Sequence, residues 1–175
     1  MPVYENYSDE QLAAAARDDD PSAWEALIRR HGQRLLAFFT RMCGDEALAR
    51  ELWAQAWGEL WELRGSLAGG GKVATAMFSL AARSSVRVAV AGNYRPPSGD
   101  PSSLEVRADC LRQALVAVPP RNRAALCLCY LDSLPYEEAG RCLGCGPGEA
   151  RMLCAEGYAA LAQRLGPGFL TAGLA

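Results

Sequence analysis

Histidine is nearly absent from this chain: 175 residues contain one, His31. That one histidine lies far along the chain from the cysteine cluster, so there is no Cys/His ligand set of zinc-site spacing. No serine-histidine-aspartate set, paired carboxylates or phosphate-binding glycine loop stands out either, so an enzyme reading has no site to rest on. Long apolar runs are missing too. No stretch approaches a membrane span, and the opening MPVYENYSDE has neither the basic region nor the apolar core of a signal peptide. The expectation is a soluble, cytoplasmic chain that is not an enzyme and needs no cofactor or metal.

Acidic residues are missing from one long stretch. The chain as a whole carries 18 Lys and Arg against 20 Asp and Glu, yet nothing acidic stands between Glu62 and Asp100. Arg64, Lys72, Arg83, Arg87 and Arg95 all fall there. A basic run inside an otherwise acidic protein is an electrostatic footprint for phosphate, and single-strand capture adds stacking, for which Phe78 and Tyr94 are at hand. The bland alternative is an amphipathic core helix, with Val73, Met77, Leu80 and Ala81 inside and a few arginines outside.

Cysteine is plentiful instead. Five of the seven lie between Cys127 and Cys154, and Cys142 and Cys145 form a C-x-x-C. A second such pair is lacking, the odd count argues against a disulfide framework, and Cys127, Cys129 and Cys142 fall where helices want small apolar residues. A structural role in packing is the expectation. His31, beside Arg29 and Arg30, reads as a solvated helix-surface residue.

The periodicity is helical throughout. Ser8 to Gln11 resembles a capping box that opens a short helix through Leu12, Ala15 and Ala16, ending in Asp18 to Pro21. Ser22 is expected to cap a second helix with Trp24, Leu27, Ile28, Leu35, Leu36, Phe38 and Phe39 as its apolar stripe. Gly44 and Asp45 break it, and a third runs over 46–63 through Leu48, Leu52, Trp53, Trp57, Leu60 and Trp61. Three tryptophans at i, i+4 and i+8 are more than a small core needs, so part of that stripe is expected to face a partner. Residues 91–103, rich in Gly, Pro and Ser, read as a linker. Beyond them Pro119 and Pro120 open a helix that Asp132 and Ser133 end. A helix-turn-helix follows: Tyr136, Ala139, Cys142 and Leu143, a turn at Gly144 to Gly146, and a last helix from Pro147 to about Leu165.

These features together resemble an extracytoplasmic-function sigma factor. The C-terminal likeness rests on Val118-Pro119, Arg123, Leu134, Tyr136-Glu137-Glu138 and Leu143-Gly144; Ala139-Gly140 stands where the family has isoleucine and alanine, a change expected to weaken packing. The N-terminal likeness rests on Ala49-Arg50-Glu51-Leu52, Trp57 and Trp61. The resemblance implies an all-α chain of two small helical domains. Residues 1–90 would bind core polymerase and melt the promoter, 91–103 link, 104–166 carry the helix-turn-helix, and 167–175 form a tail. It implies polymerase binding through Glu51, Leu52, Gln55, Trp57 and Trp61. The opened strand would be held by Arg64, Lys72, Arg83, Arg87 and Arg95, and upstream phosphates by Arg121, Arg141 and Arg151. Core polymerase, promoter DNA and an anti-sigma factor are the implied partners.

The last helix departs from the family. Only Arg151 keeps its charge there, while Leu153, Glu156 and Tyr158 occupy positions the family makes basic, and Gly148 and Gly157 are expected to cost helix stability, up to ~1 kcal/mol each. Arg83 and Arg87 stand where the family has asparagine and aspartate, and Ala54 replaces a glutamine. Since phosphate contacts supply much of DNA affinity, the rival expectation is a sigma-like decoy or adaptor that binds polymerase or an anti-sigma factor without specific DNA recognition. A third, an enzyme or metal-dependent regulator, rests on the cysteines alone.

Overall fold

The computed structural model describes residues 4–67, 72–89, 103–166 and Phe169. The described elements are all helical. In chain order they are α1 (Asp9–Arg17), α2 (Pro21–Cys43), α3 (Glu46–Glu62), α4 (Arg64–Leu67), α5 (Val73–Val88), α6 (Leu104–Val116), α7 (Pro120–Leu126), α8 (Tyr136–Leu143) and α9 (Pro147–Leu165). Most of the expected linker, with Tyr94 and Arg95, lies outside the described residues.

Local chemistry sets the helix ends. Ser8 and Gln11 exchange side-chain and backbone hydrogen bonds, a complete capping box at α1. The cap of α2 is Asp20, not Ser22 as expected: Pro21 has no N–H to satisfy and takes the first helical position, so the Asp20 carboxylate accepts from Ser22 and Ala23 N–H at 2.9 and 3.3 Å. Gly44 then closes α2 at φ 70°, and a Cβ there would meet Val116 at 2.6 Å, so the turn needs glycine twice over.

The core is built around α2. Trp24 takes Trp57 and Trp61 of α3 edge-on, each with ring centroids 5.4 Å away, while Phe38 meets Phe39 at 6.2 Å and Phe78 of α5 at 5.7 Å. Edge-to-face pairs of this kind add about 0.5–1.5 kcal/mol each to area burial. The same apolar cluster continues through Val118, Ala124, Leu126, Cys127 and Leu128 to Ala139 and Cys142. Thus α8 packs on α5, and α6 and α7 pack on α2.

One buried arginine ties this seam. Arg123 is fully buried and donates to the carbonyl oxygens of Met42, Val116 and Val118, joining the end of α2 to the α6–α7 turn. Its burial lowers the guanidinium's affinity for a proton, and three carbonyl dipoles replace its lost water. After α7 the chain widens into a π-helical turn, Cys127–Leu131, closed by Asp132 N–H to Cys127 carbonyl at 2.9 Å.

Two glycines serve packing. A Cβ on Gly140 would meet the Cys145 carbonyl oxygen at 2.7 Å, so this glycine lets the turn fold back onto α8. That reverses the expectation that Gly140 weakens packing. A Cβ on Gly157 would sit 3.0 Å from Leu126, so α9 approaches α7 closely through it, whereas one on Gly148 would meet nothing within 4 Å.

Candidate nucleic-acid and polymerase interface

On α3 the aromatic stripe turns inward. Leu52 and Trp57 are buried, Trp57 at 4% exposure. Trp61 is half-buried against Trp24, and Trp53 donates its indole N–H to the Gly32 carbonyl at 2.8 Å. The expected aromatic docking surface is therefore core, because α2 supplies a fourth tryptophan that closes over the stripe. The outer face carries Arg50, Glu51, Ala54, Gln55, Gly58, Glu59 and Glu62, all exposed. Of the residues expected to meet polymerase, Glu51 and Gln55 are presented outward. They bond to each other at 3.2 Å.

The basic residues divide into engaged and open. Arg64 reaches the Asp19 carboxylate at 2.7 Å and the Trp61 carbonyl at 3.0 Å, with its guanidinium 4.2 Å from the Trp61 ring centroid. Lys72 pairs with Glu138, and Arg121 with Glu149 at 2.9 Å. Arg83, Arg87, Arg141 and Arg151 are exposed and form no ion pair among the described residues. Phe78 is unavailable for stacking: it is 2% exposed beneath Phe38, and the Arg34 guanidinium lies 5.0 Å from its ring centroid.

Acids from distant segments complete the seam, and charge counting along the chain missed them. Asp132, which ends the π-helical turn, receives Arg34 Nε at 3.0 Å with Arg41 at 4.0 Å. Burial raises its carboxyl pKa, and the Arg34 hydrogen bond works against that rise. Cys142 Sγ faces the Thr75 carbonyl at 3.6 Å. The seam between α5 and α8 thus combines apolar packing with the Lys72–Glu138 pair at its edge, while Asp132 ties the end of the π-helical turn to α2.

The outer face of α9 is nearly neutral. Arg151, Met152, Ala155, Glu156, Tyr158 and Ala159 are exposed, Met152 and Tyr158 by half or more. Leu153 is half-buried, its carbonyl accepting from Asn122 at 3.1 Å, and the same amide reaches Glu156 at 3.0 Å. Recognition by α9 therefore has a single cation, Arg151, to work with on this face.

The cysteines behave as small apolar residues. Cys127 and Cys142 are buried, and burial pushes the thiols of Cys127 and Cys129 up to about 12, far from reactive thiolates. No group of three potential metal ligands occurs among the described residues. His31 is not a solvated surface group: its side chain is 12% exposed and Nε2 lies 2.8 Å from Asp9, which also receives Arg30 at 2.6 Å. These contacts fasten α1 to α2. None of the described helices is long and apolar enough to cross a membrane.

No protein-family model matches the chain. It is 28% identical over 166 residues to RNA polymerase sigma factor CarQ of Myxococcus xanthus, a match covering 86% of this chain and 93% of CarQ. It is 29% identical over 164 residues to ECF RNA polymerase sigma factor SigE of Mycolicibacterium smegmatis, covering 82% of this chain and 64% of SigE.

Proposed function

We propose that this chain, a member of the extracytoplasmic-function sigma factors, binds bacterial RNA polymerase core and directs it to promoters, acting by recruitment and not by catalysis. The observation that carries this reading is the reach of the likeness to sigma factors, 86% of the chain in one case. Residues 1–90 would dock polymerase and open DNA, 91–103 link, and 104–166 place the helix-turn-helix, all in the cytoplasm where polymerase works.

Geometry narrows the residues. The polymerase face is the outer side of α3, with Glu51 and Gln55 as contacts, while Leu52, Trp57 and Trp61 hold the helix in place from within. Arg83 and Arg87 are the cations on α5 open to a DNA strand, with Arg95 from the segment beyond α5. Arg64 and Lys72 can join them only by leaving Asp19 and Glu138. Arg141 and Arg151 are the open cations for duplex phosphates, and Arg121 is shared with Glu149. The neutral face of α9 suits a protein partner, and an anti-sigma factor is the one the family supplies.

The test is reconstitution. Purified full-length chain is mixed with core polymerase, the complex isolated by gel filtration, and transcription measured on a promoter library. Complex formation with selective initiation is expected, and Glu51→Arg is expected to lower complex formation while the helical circular dichroism stays unchanged. Unaltered binding by folded Glu51→Arg would remove the α3 face. A stable complex that initiates nowhere would make the decoy the better reading.

A further inference from the structure

Helix α6 carries an apolar stripe that is covered at one end and open at the other. Leu104, Ala108, Leu111 and Leu115 recur at i, i+4, i+7 and i+11, which places them on one face of the helix. At the C-terminal end Leu115 is buried, as is its neighbour Ala114. At the N-terminal end Ala108 is exposed, Leu104 is 82% exposed and Leu111 43%. The first two turns of the stripe lack the cover that the last turn has.

The end of the chain is already anchored beside that opening. Arg107 stands three residues after Leu104 and four before Leu111, so it flanks both on the helix surface. Its guanidinium donates to the Phe169 carbonyl at 3.2 Å and lies 5.2 Å from the Phe169 ring centroid. The route is set by α9, which packs on α6 and ends at Gly166, where a φ of 76° turns the chain. The chain leaving α9 is thus delivered to the open end of the stripe.

The residues that follow, Leu170-Thr171-Ala172-Gly173-Leu174-Ala175, lie outside the described residues. They carry no charge and two leucines. Six extended residues reach about 20 Å, whereas Leu104 to Leu111 is a rise of about 10 Å, so the segment is long enough to pass both. Residues 91–103, which enter α6 from the other side, offer Tyr94 among prolines, Arg95 and Asp100, and no leucine. We propose that Phe169 to Ala175 form a strap across α6, with Phe169 on Arg107 as its anchor and Leu170 and Leu174 over Leu104 and Leu111. The strap takes that apolar surface out of water and fastens the start of the helix-turn-helix part to its own last helix. None of the residues assigned above to polymerase or DNA takes part, so the strap holds or fails independently of the promoter reading.

The experiment is hydrogen exchange read by mass spectrometry on the full-length chain and three variants: Leu170→Gln with Leu174→Gln, Leu104→Gln with Leu111→Gln, and all four together. Glutamine keeps helix propensity close to that of leucine, so α6 changes only in what covers it. The tail pair is expected to speed exchange in α6 roughly tenfold while α2 and α3 keep theirs. The fourfold variant is expected to exchange no faster than the α6 pair alone, because both pairs remove the same contact. Unchanged α6 exchange in the tail pair would overturn the strap, as would effects of the two pairs that simply add. Protection of α6 that rises with protein concentration would assign the stripe to a second copy of the chain and overturn it too.

Discussion

Helices α3 and α9 are of similar length, 17 and 19 residues, yet they are attached in opposite ways. The inner face of α3 carries bulk, Leu52, Trp57 and Leu60, with Trp57 edge-on against Trp24; that of α9 carries small groups, Ala150, Cys154 and Gly157, which let it settle close onto α7. Their outer faces differ as well, acidic and polar on α3 and nearly neutral on α9. Inner faces decide where a helix sits, and outer faces decide what it meets. On α3, Leu52 and Trp57 of the sigma-like motif are of the first kind, and on α9 the departures Glu156 and Tyr158 are of the second.

The strongest way to break this contrast is Trp57→Ala. If Trp57 is core, truncation removes its packing against Trp24 and Trp53 and is expected to lower unfolding free energy by about 3–5 kcal/mol, measured by urea denaturation. A folded variant of unchanged stability that fails to bind polymerase would return Trp57 to the surface role the sequence implied. Next in size is Gly157→Ala, where the added methyl meets Leu126 and the Asn122 carbonyl at 3.0 and 3.1 Å. A loss of about 1–3 kcal/mol is expected by overpacking, in spite of alanine's better helix propensity. A gain would show that α9 is seated loosely and that close approach explains nothing.

The outer-face half of the comparison is sharpened by charge. Full-length Glu156→Arg with Tyr158→Arg is expected to bind duplex DNA more tightly, with salt dependence steeper by about 0.9 for each additional phosphate neutralised, read by fluorescence anisotropy across a salt series. Stability should change little, since both side chains are exposed and the Asn122 amide that loses Glu156 keeps the Leu153 carbonyl. Tight, sequence-specific binding by the unaltered chain would instead show that Arg151 and its neutral companions suffice.

Much of the fold was legible because helix ends are written locally. Asp18 to Pro21, Gly44-Asp45, Asp132-Ser133 and Gly144 to Gly146 each mark an observed helix end or turn. Periodicity also identified the Trp57 stripe but could not say what covers it, since Trp24 lies on another helix. The same blindness affected charge. The acid-free run is real, yet Asp19 and Glu138 reach Arg64 and Lys72 from 45 and 66 residues away, leaving Arg83 and Arg87 as the open cations on α5. Gly140 was misread for a related reason: the group that forbids its side chain is the Cys145 carbonyl, brought back by a turn.

The smallest expected effect isolates propensity from packing on a single helix. Gly148 follows Pro147 in the first turn of α9, is exposed, and a Cβ there would meet nothing within 4 Å. Gly148→Ala therefore gains helix propensity at no steric cost and is expected to stabilise the chain by up to ~1 kcal/mol, raising Tm by up to about 2–4 °C. Gly157→Ala, the same substitution nine residues on in the same helix, is expected to move Tm the other way. Opposite signs would establish that α9 is held by how closely its inner face approaches α7. Equal signs would mean that helix propensity governs both positions, and that the small inner residues of α9 are no more than tolerated.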